Sequence, residues 1–172
     1  MGSYSPSTIA EVGELNPKRG IVCRTGTFVN SAVFLTTAVN IFKVTGRIRI
    51  VSLDIEAITD FSAHASVPRW QIEGLTPVVA LFNISAASGA LTSLAAGKFV
   101  TFAGTALNTA LVIGAAVGIM VKPANVMDVG WDGGSCYLAL DSDVAQVGAT
   151  ATAVITLCYL PQSDGAGVDA LV

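Results

Sequence analysis

Few side chains in this sequence could do chemistry, and their types and spacing argue against it. His64 is the only histidine. A Ser-His-Asp triad needs a histidine held by an acid beside a nucleophile, yet His64 lies in the run FSAHAS and no G-x-S-x-G elbow occurs. A surface loop residue is the simpler reading. Cys23, Cys136 and Cys158 are scattered and never form a C-x-x-C pair, so with one histidine they lack zinc spacing. Reduced, buried thiols of a protein made in a cytoplasm are expected. Dinucleotide and Walker patterns are missing, and Gly130-Trp131-Asp132-Gly133-Gly134 reads as a turn.

Two acidic groupings and two tryptophans remain. Asp54 and Glu56 put two carboxylates on one strand face, as acid–base pairs require. Arg47 and Arg49 lie on the same stretch, and ion pairs across a solvated face account for all four. Asp141-Ser142-Asp143, with Asp132, could offer oxygens to Ca²⁺, but without an EF-hand pattern a polar turn is the plainer reading. Trp70 and Trp131 could anchor a partner or a sugar, with core packing as the competing role. We assign no catalytic residue, cofactor or metal ligand, and the chain reads as non-enzymatic.

The elements that carry these residues are strands. From Phe42 to Ile50 the sequence alternates: Phe42, Val44, Ile48 and Ile50 share one face, and Lys43, Thr45, Arg47 and Arg49 the other. Then the phase flips, and Val51, Leu53, Ile55 and Ala57 become the apolar set. An extra residue is needed for such a flip, so a β-bulge or bend is predicted near Ile50–Val51. One long bent strand shared by two sheets implies a sandwich.

Residues 1–19, with Pro6 and Pro17 and no period, read as an extended N-terminal arm. Residues 20–161 read as one all-β domain, a two-sheet sandwich or jelly roll of about eight strands, and residues 162–172 as a C-terminal tail. The run PVVALFNIS is strongly β-type, and residues 60–76 form a polar connection of the kind that carries recognition. Asp132-Gly133-Gly134-Ser135 marks a hairpin turn between Val126–Trp131 and Cys136–Leu140. Thr150 to Leu160 is the last strand.

Composition points toward an assembly. The chain has 172 residues, only 12% of them charged, against about 25% in typical domains, and its mean hydropathy is +0.67. Such a surface suits contact with other protein better than bulk water. A 23-residue uncharged stretch lies between Lys98 and Lys122, but its Thr and Asn positions and its interleaved glycines suit two strands better than a membrane helix. The polar N-terminus shows no apolar signal core, so export by a signal peptide is not expected.

Charge is segregated along the sequence. Lys18, Arg19, Arg24, Lys43, Arg47 and Arg49 are the basic residues of positions 18–49, which hold no acid, while positions 123–172 hold six aspartates, Asp141 and Asp143 among them, and no base. Folding could mix these, or a basic face could meet acidic loops of a neighbouring copy. A pI near 4.9 and six basic residues without interleaved aromatics argue against nucleic acid. The interface residues expected on this basis are Lys18, Arg19, Arg24, Arg47, Arg49, Trp70, Asp141 and Asp143.

Two segments carry a resemblance. FLTTAVNIFKVTGRIRIVSLDIEAI resembles the apolar-x-V-T-G-x-I-x-I strand of small structural proteins of tailed bacteriophages, and ATAVITLCYLPQSDGAGVDALV resembles their C-terminal end. The resemblance implies a virion component made in the host bacterial cytoplasm: a head decoration (cement) protein that forms a homotrimer and binds the major capsid protein. A tail or fibre-associated subunit is the neighbouring alternative, and a carbohydrate- or receptor-binding module using Trp70 is a third. Nucleic acid, membrane and small-molecule substrate are not expected partners.

Overall fold

Two antiparallel sheets pack face to face in the computed structural model, which describes residues 22–30, 38–61, 67–88, 91, 94–102, 109–113, 127–142 and 151–172. In chain order the strands are β1 (Val22–Asn30), β2 (Val39–Thr45), β3 (Ile48–Ala57), β4 (Pro68–Thr76), β5 (Val78–Asn83), β6 (Ser85–Ala86), β7 (Phe99–Thr101), β8 (Thr109–Ala110), β9 (Val112–Ile113), β10 (Met127–Val129), β11 (Ser135–Ser142), β12 (Ala151–Pro161) and β13 (Gly167–Ala170). The first sheet runs β1-β12-β3-β7-β9, with β10 also on β3, and the second runs β13-β2-β11-β4-β5. β6 and β8 form a short parallel pair. The all-β sandwich expected from the sequence is therefore present, built from more and shorter strands. Among the described residues there is no α-helix.

Alternation makes the core. In β12, Ala151, Ala153, Ile155, Leu157 and Tyr159 are buried while the residues between them are partly exposed. Ile155 and Leu157 stand opposite Ile55 and Leu53 of β3, and Phe42, Trp70, Ile72, Leu138 and Leu140 fill the second sheet's share of the core. Each fully buried side chain of this size contributes roughly 1.5–3 kcal/mol. Two of the bulges adjust the pattern in β2 and β3. Cys158 pairs with Ser52 but Tyr159 with Ile50, which leaves Val51 as the extra residue where the phase flip predicted one. Leu138 pairs with Phe42 but Ala139 with Asn40, so Ile41 is extra, and both Ile41 and Phe42 can be buried.

The long strand is not shared between the sheets. β2 belongs to the second sheet and β3 to the first, and the chain crosses at Gly46 and Arg47, where Gly46 has φ of +69°. Asp132-Gly133 does turn the chain, but it makes no hairpin, since β10 pairs with β3 and β11 with β2 and β4. Residues 162–172, expected as a tail, supply β13, which adds to β2 with Val168 opposite Val44. The chain changes sheet at three places, β2 to β3, β10 to β11 and β12 to β13, and these three crossings meet at one corner. The Gly46 amide donates to the Gly134 carbonyl at 2.8 Å, and the Gln162 amide to the Arg47 carbonyl at 2.8 Å. The Arg47 amide donates to Ser163 Oγ at 2.9 Å.

The uncharged 99–121 stretch contributes β7, β8 and β9. Among the described residues no helix is long and apolar enough to cross a membrane.

Candidate functional site

The surface that stands out is the β5 edge of the second sheet. β4 lies between β11 and β5, whereas β5 pairs only with β4 among the described residues. Its sequence, VVALFN, has no charge, and no charged residue occurs between Glu73 and Lys98. Ile72 stands opposite Phe82 and Gly74 opposite Val79, which leaves Ala80 and Leu81 together against Glu73 as a bulge. Residues opposite one another share a face, so Phe82 and Val79 take the core side with buried Ile72 and Gly74. Val78 and Asn83 take the outer side with Leu75 and Gln71. Gly74 is needed here, because a Cβ on it would come within 2.8 Å of the Val79 side chain.

Large apolar side chains are exposed along this edge: Val78 at 88%, Leu81 at 44% and Phe82 at 39%. Phe82 faces the core side yet stays exposed, beside the three-residue β10 of the first sheet. Between the two lies a groove of about 360 Å³ lined by Ile72, Phe82, Ile84, Met127, Val129 and Trp131, with Asp128 on its rim. Trp131 is partly buried against the core. A groove with these walls can bind apolar side chains, and the open ladder of β5 can bind a strand.

Three of the residues expected at an interface, Arg47, Arg49 and Asp141, are in ion pairs within the chain. Arg49 reaches Asp128 at 2.7 Å, Arg47 lies 3.6 Å from Asp132, and Arg69 lies 2.7 Å from Asp141. The basic and acidic segments thus meet within one chain, and folding mixes the charge that the sequence keeps apart. The paired Arg49 guanidinium, mainly through its hydrogen bonds, holds the Asp128 carboxyl below the ordinary carboxylate range. Asp141 Oδ2 accepts from Arg69 Nε and Nη2 and from Gln71 Nε2. It lies across the length of β11 from Asp132, so these two cannot share a Ca²⁺ ion.

Trp70 is a correction: it is fully buried in β4 and cannot present its ring to a partner or a sugar. Arg24 sits in β1 opposite Leu157. Lys18, Arg19, Asp143 and His64 lie outside the described residues. Among the described residues, Arg47 and Arg49 pair with Asp132 and Asp128, Asp141 pairs with Arg69, and Trp70 lies in the core.

Asp54 and Glu56 border a shallow depression of about 350 Å³ on the outer face of the first sheet, with Ser52, Phe99, Val154 and Thr156. Among the described residues no group of three His, Cys, Asp or Glu is placed to hold a metal. The cysteines also depart from expectation. Cys136 is free and buried, whereas Cys158 is disulfide-bonded, with Cys23 opposite it in the β1–β12 register.

Sequence reasoning missed Val78, Leu81 and Phe82 as surface residues. An apolar β-run has the same composition at a sheet edge as in a core strand. The uncharged span around it was the available signal. No described family, curated protein or solved structure matches this chain.

Proposed function

We propose that the protein is a non-enzymatic structural subunit of a virion, of the head-decoration kind in tailed bacteriophages, which binds copies of itself and the capsid shell. The observation that supports this reading most directly is the β5 edge, where Val78, Leu81 and Phe82 are exposed on an uncharged strand. An isolated soluble domain normally protects such an edge with charge or cover, and an edge left apolar suits a contact that is completed on assembly. The ion pairs of Arg47, Arg49 and Arg69 within the chain leave apolar burial as the main source of affinity. A specific contact needs about 1,000 Å² or more, and repetition over a shell multiplies it as avidity. The phage assignment itself rests on the resemblance of the β2–β3 and β12 sequences.

The test is addition of purified protein to capsids assembled without it. Saturable binding with raised resistance to heat or osmotic shock is the expected result. Shells that neither bind the protein nor gain resistance would remove the proposal.

A further inference from the structure

We infer that the β5 edge is where two copies of this chain join, with β5 of one antiparallel to β5 of the other. The inference rests on the assembly reading of this edge and names its occupant. Three observations select a second copy. First, the strand lies in a span without charge from residue 74 to residue 97, so it meets its own copy without the like-charge cost that opposes self-pairing. A charged partner would find nothing complementary on it.

Second, the faces of β5 match their own two-fold image. An antiparallel pair centred between Ala80 and Leu81 sets Val79 against Phe82, Val78 against Asn83 and Ala80 against Leu81. Val79 and Phe82 are both on the core side, and Val78 and Asn83 are both on the outer side, as their β4 partners show. A one-residue slip would set core-side residues against outer ones. The bulge at Ala80–Leu81 sits at the centre and so keeps the symmetry.

Third, the open edge is short. Just beyond it, β6 is taken by β8, so among the described residues the free ladder is limited to the six residues of β5. A two-fold contact of that length closes on itself rather than growing into a fibre. It also continues the second sheet across the pair and brings a second Phe82 beside the groove.

The test uses the full-length protein. Its mass is measured by light scattering over a micromolar dilution series for the native sequence, for Val78→Lys with Leu81→Lys, and for Leu171→Lys as a control at the opposite edge of the sheet. The native protein is expected at twice 17.6 kDa. The double variant is expected to associate at least about a hundredfold more weakly, since each lysine must be desolvated in the joint, with an unchanged near-UV spectrum. Leu171→Lys is expected to behave as the native protein.

A native monomer throughout the series would overturn the inference. So would a trimer, which requires a heterologous contact, or an oligomer that persists in the double variant. Capsid binding is scored separately. A β5 dimer that ignores shells sinks the decoration reading alone, and a monomer that binds them sinks the β5 pairing alone.

Discussion

Arg49 and Asp128 stand opposite one another in β3 and β10 and are joined by two parallel hydrogen bonds. Arg49 Nε donates to Asp128 Oδ1 at 2.7 Å and Nη2 to Oδ2 at 3.1 Å. Among the described residues three pairs tie β10 to β3, and this planar fork helps to fix the strand that forms one wall of the apolar groove. Both side chains are more than one-third exposed, and solvent screens most of their attraction.

Asp128→Asn should therefore lower the thermal midpoint by no more than about 2 °C. Its pH signature is more telling. The Asp128 carboxyl is held below its ordinary range when folded, so the unfolded chain takes up its proton first as pH falls. The contribution is full above the ordinary carboxylate pKa and is lost as pH falls through the folded value. Urea midpoints from pH 6 down to pH 3 should drop more steeply for the native protein than for Asp128→Asn. Parallel curves would show that the pair does not persist in solution.

How much of this was legible in sequence depends on range. The phase flip at Ile50–Val51 is a local pattern, and it located the Val51 bulge because one extra residue is the only way to turn a strand over. The crossing at Gly46 was hidden, since alternation continues through it and each side of the turn feeds a different sheet. GVDA near the C-terminus is too short and too polar to announce β13, which exists because Val168 caps the core next to Val44. Asp132-Gly133 was read correctly as a turn, but a turn signal does not say which strands it joins. The exposure of Val78 and Phe82 depends on β5 lying at the end of its sheet, which is a property of the whole fold.

Trp70 offers a test of the core. Its ring is fully buried, and its indole Nε1 has no hydrogen-bond partner among the described residues. Trp70→Ala should cost about 3–5 kcal/mol through the cavity it opens. Trp70→Phe should cost clearly less, because it also removes an unsatisfied buried donor. Chemical denaturation measures both, and equal losses would mean that the N–H finds a partner in solution. Glycan binding that depended on Trp70 in a folded variant would contradict its burial.

The cysteines give a chemical count. Burial pushes the Cys136 thiol up from its ordinary 9.0 to about 11, so alkylation of the native protein at pH 8 should be very slow. Denatured without reductant, the chain should titrate one thiol, and after reduction all three. Peptide mapping without reduction should join Cys158 to Cys23. Because the folded Cys136 pKa is raised, the unfolded chain loses that proton first. Stability should thus fall as pH rises from about 9 to 11, by up to about 2–3 kcal/mol. Cys136→Ala should remove this alkaline decline.

Two glycines separate backbone strain from packing at the corner where the sheets exchange strands. Gly130 and Gly133 both have positive φ, at 91° and 71°, so any side chain at either position pays for a left-handed backbone. They differ in what surrounds them. A Cβ on Gly130 would overlap the Gly46 carbonyl, whereas Gly133 has nothing within 4 Å. Gly133→Ala should cost about 1 kcal/mol. Gly130→Ala should cost at least about 3 kcal/mol, because the Gly46 crossing must move and Arg47, which binds both Gln162 and Ser163, must move with it. Urea unfolding of the two variants decides between these costs. Equal midpoints would mean that the three crossings do not pack as one unit, and a Gly130→Ala loss confined to β10 would mean that they are only loosely coupled.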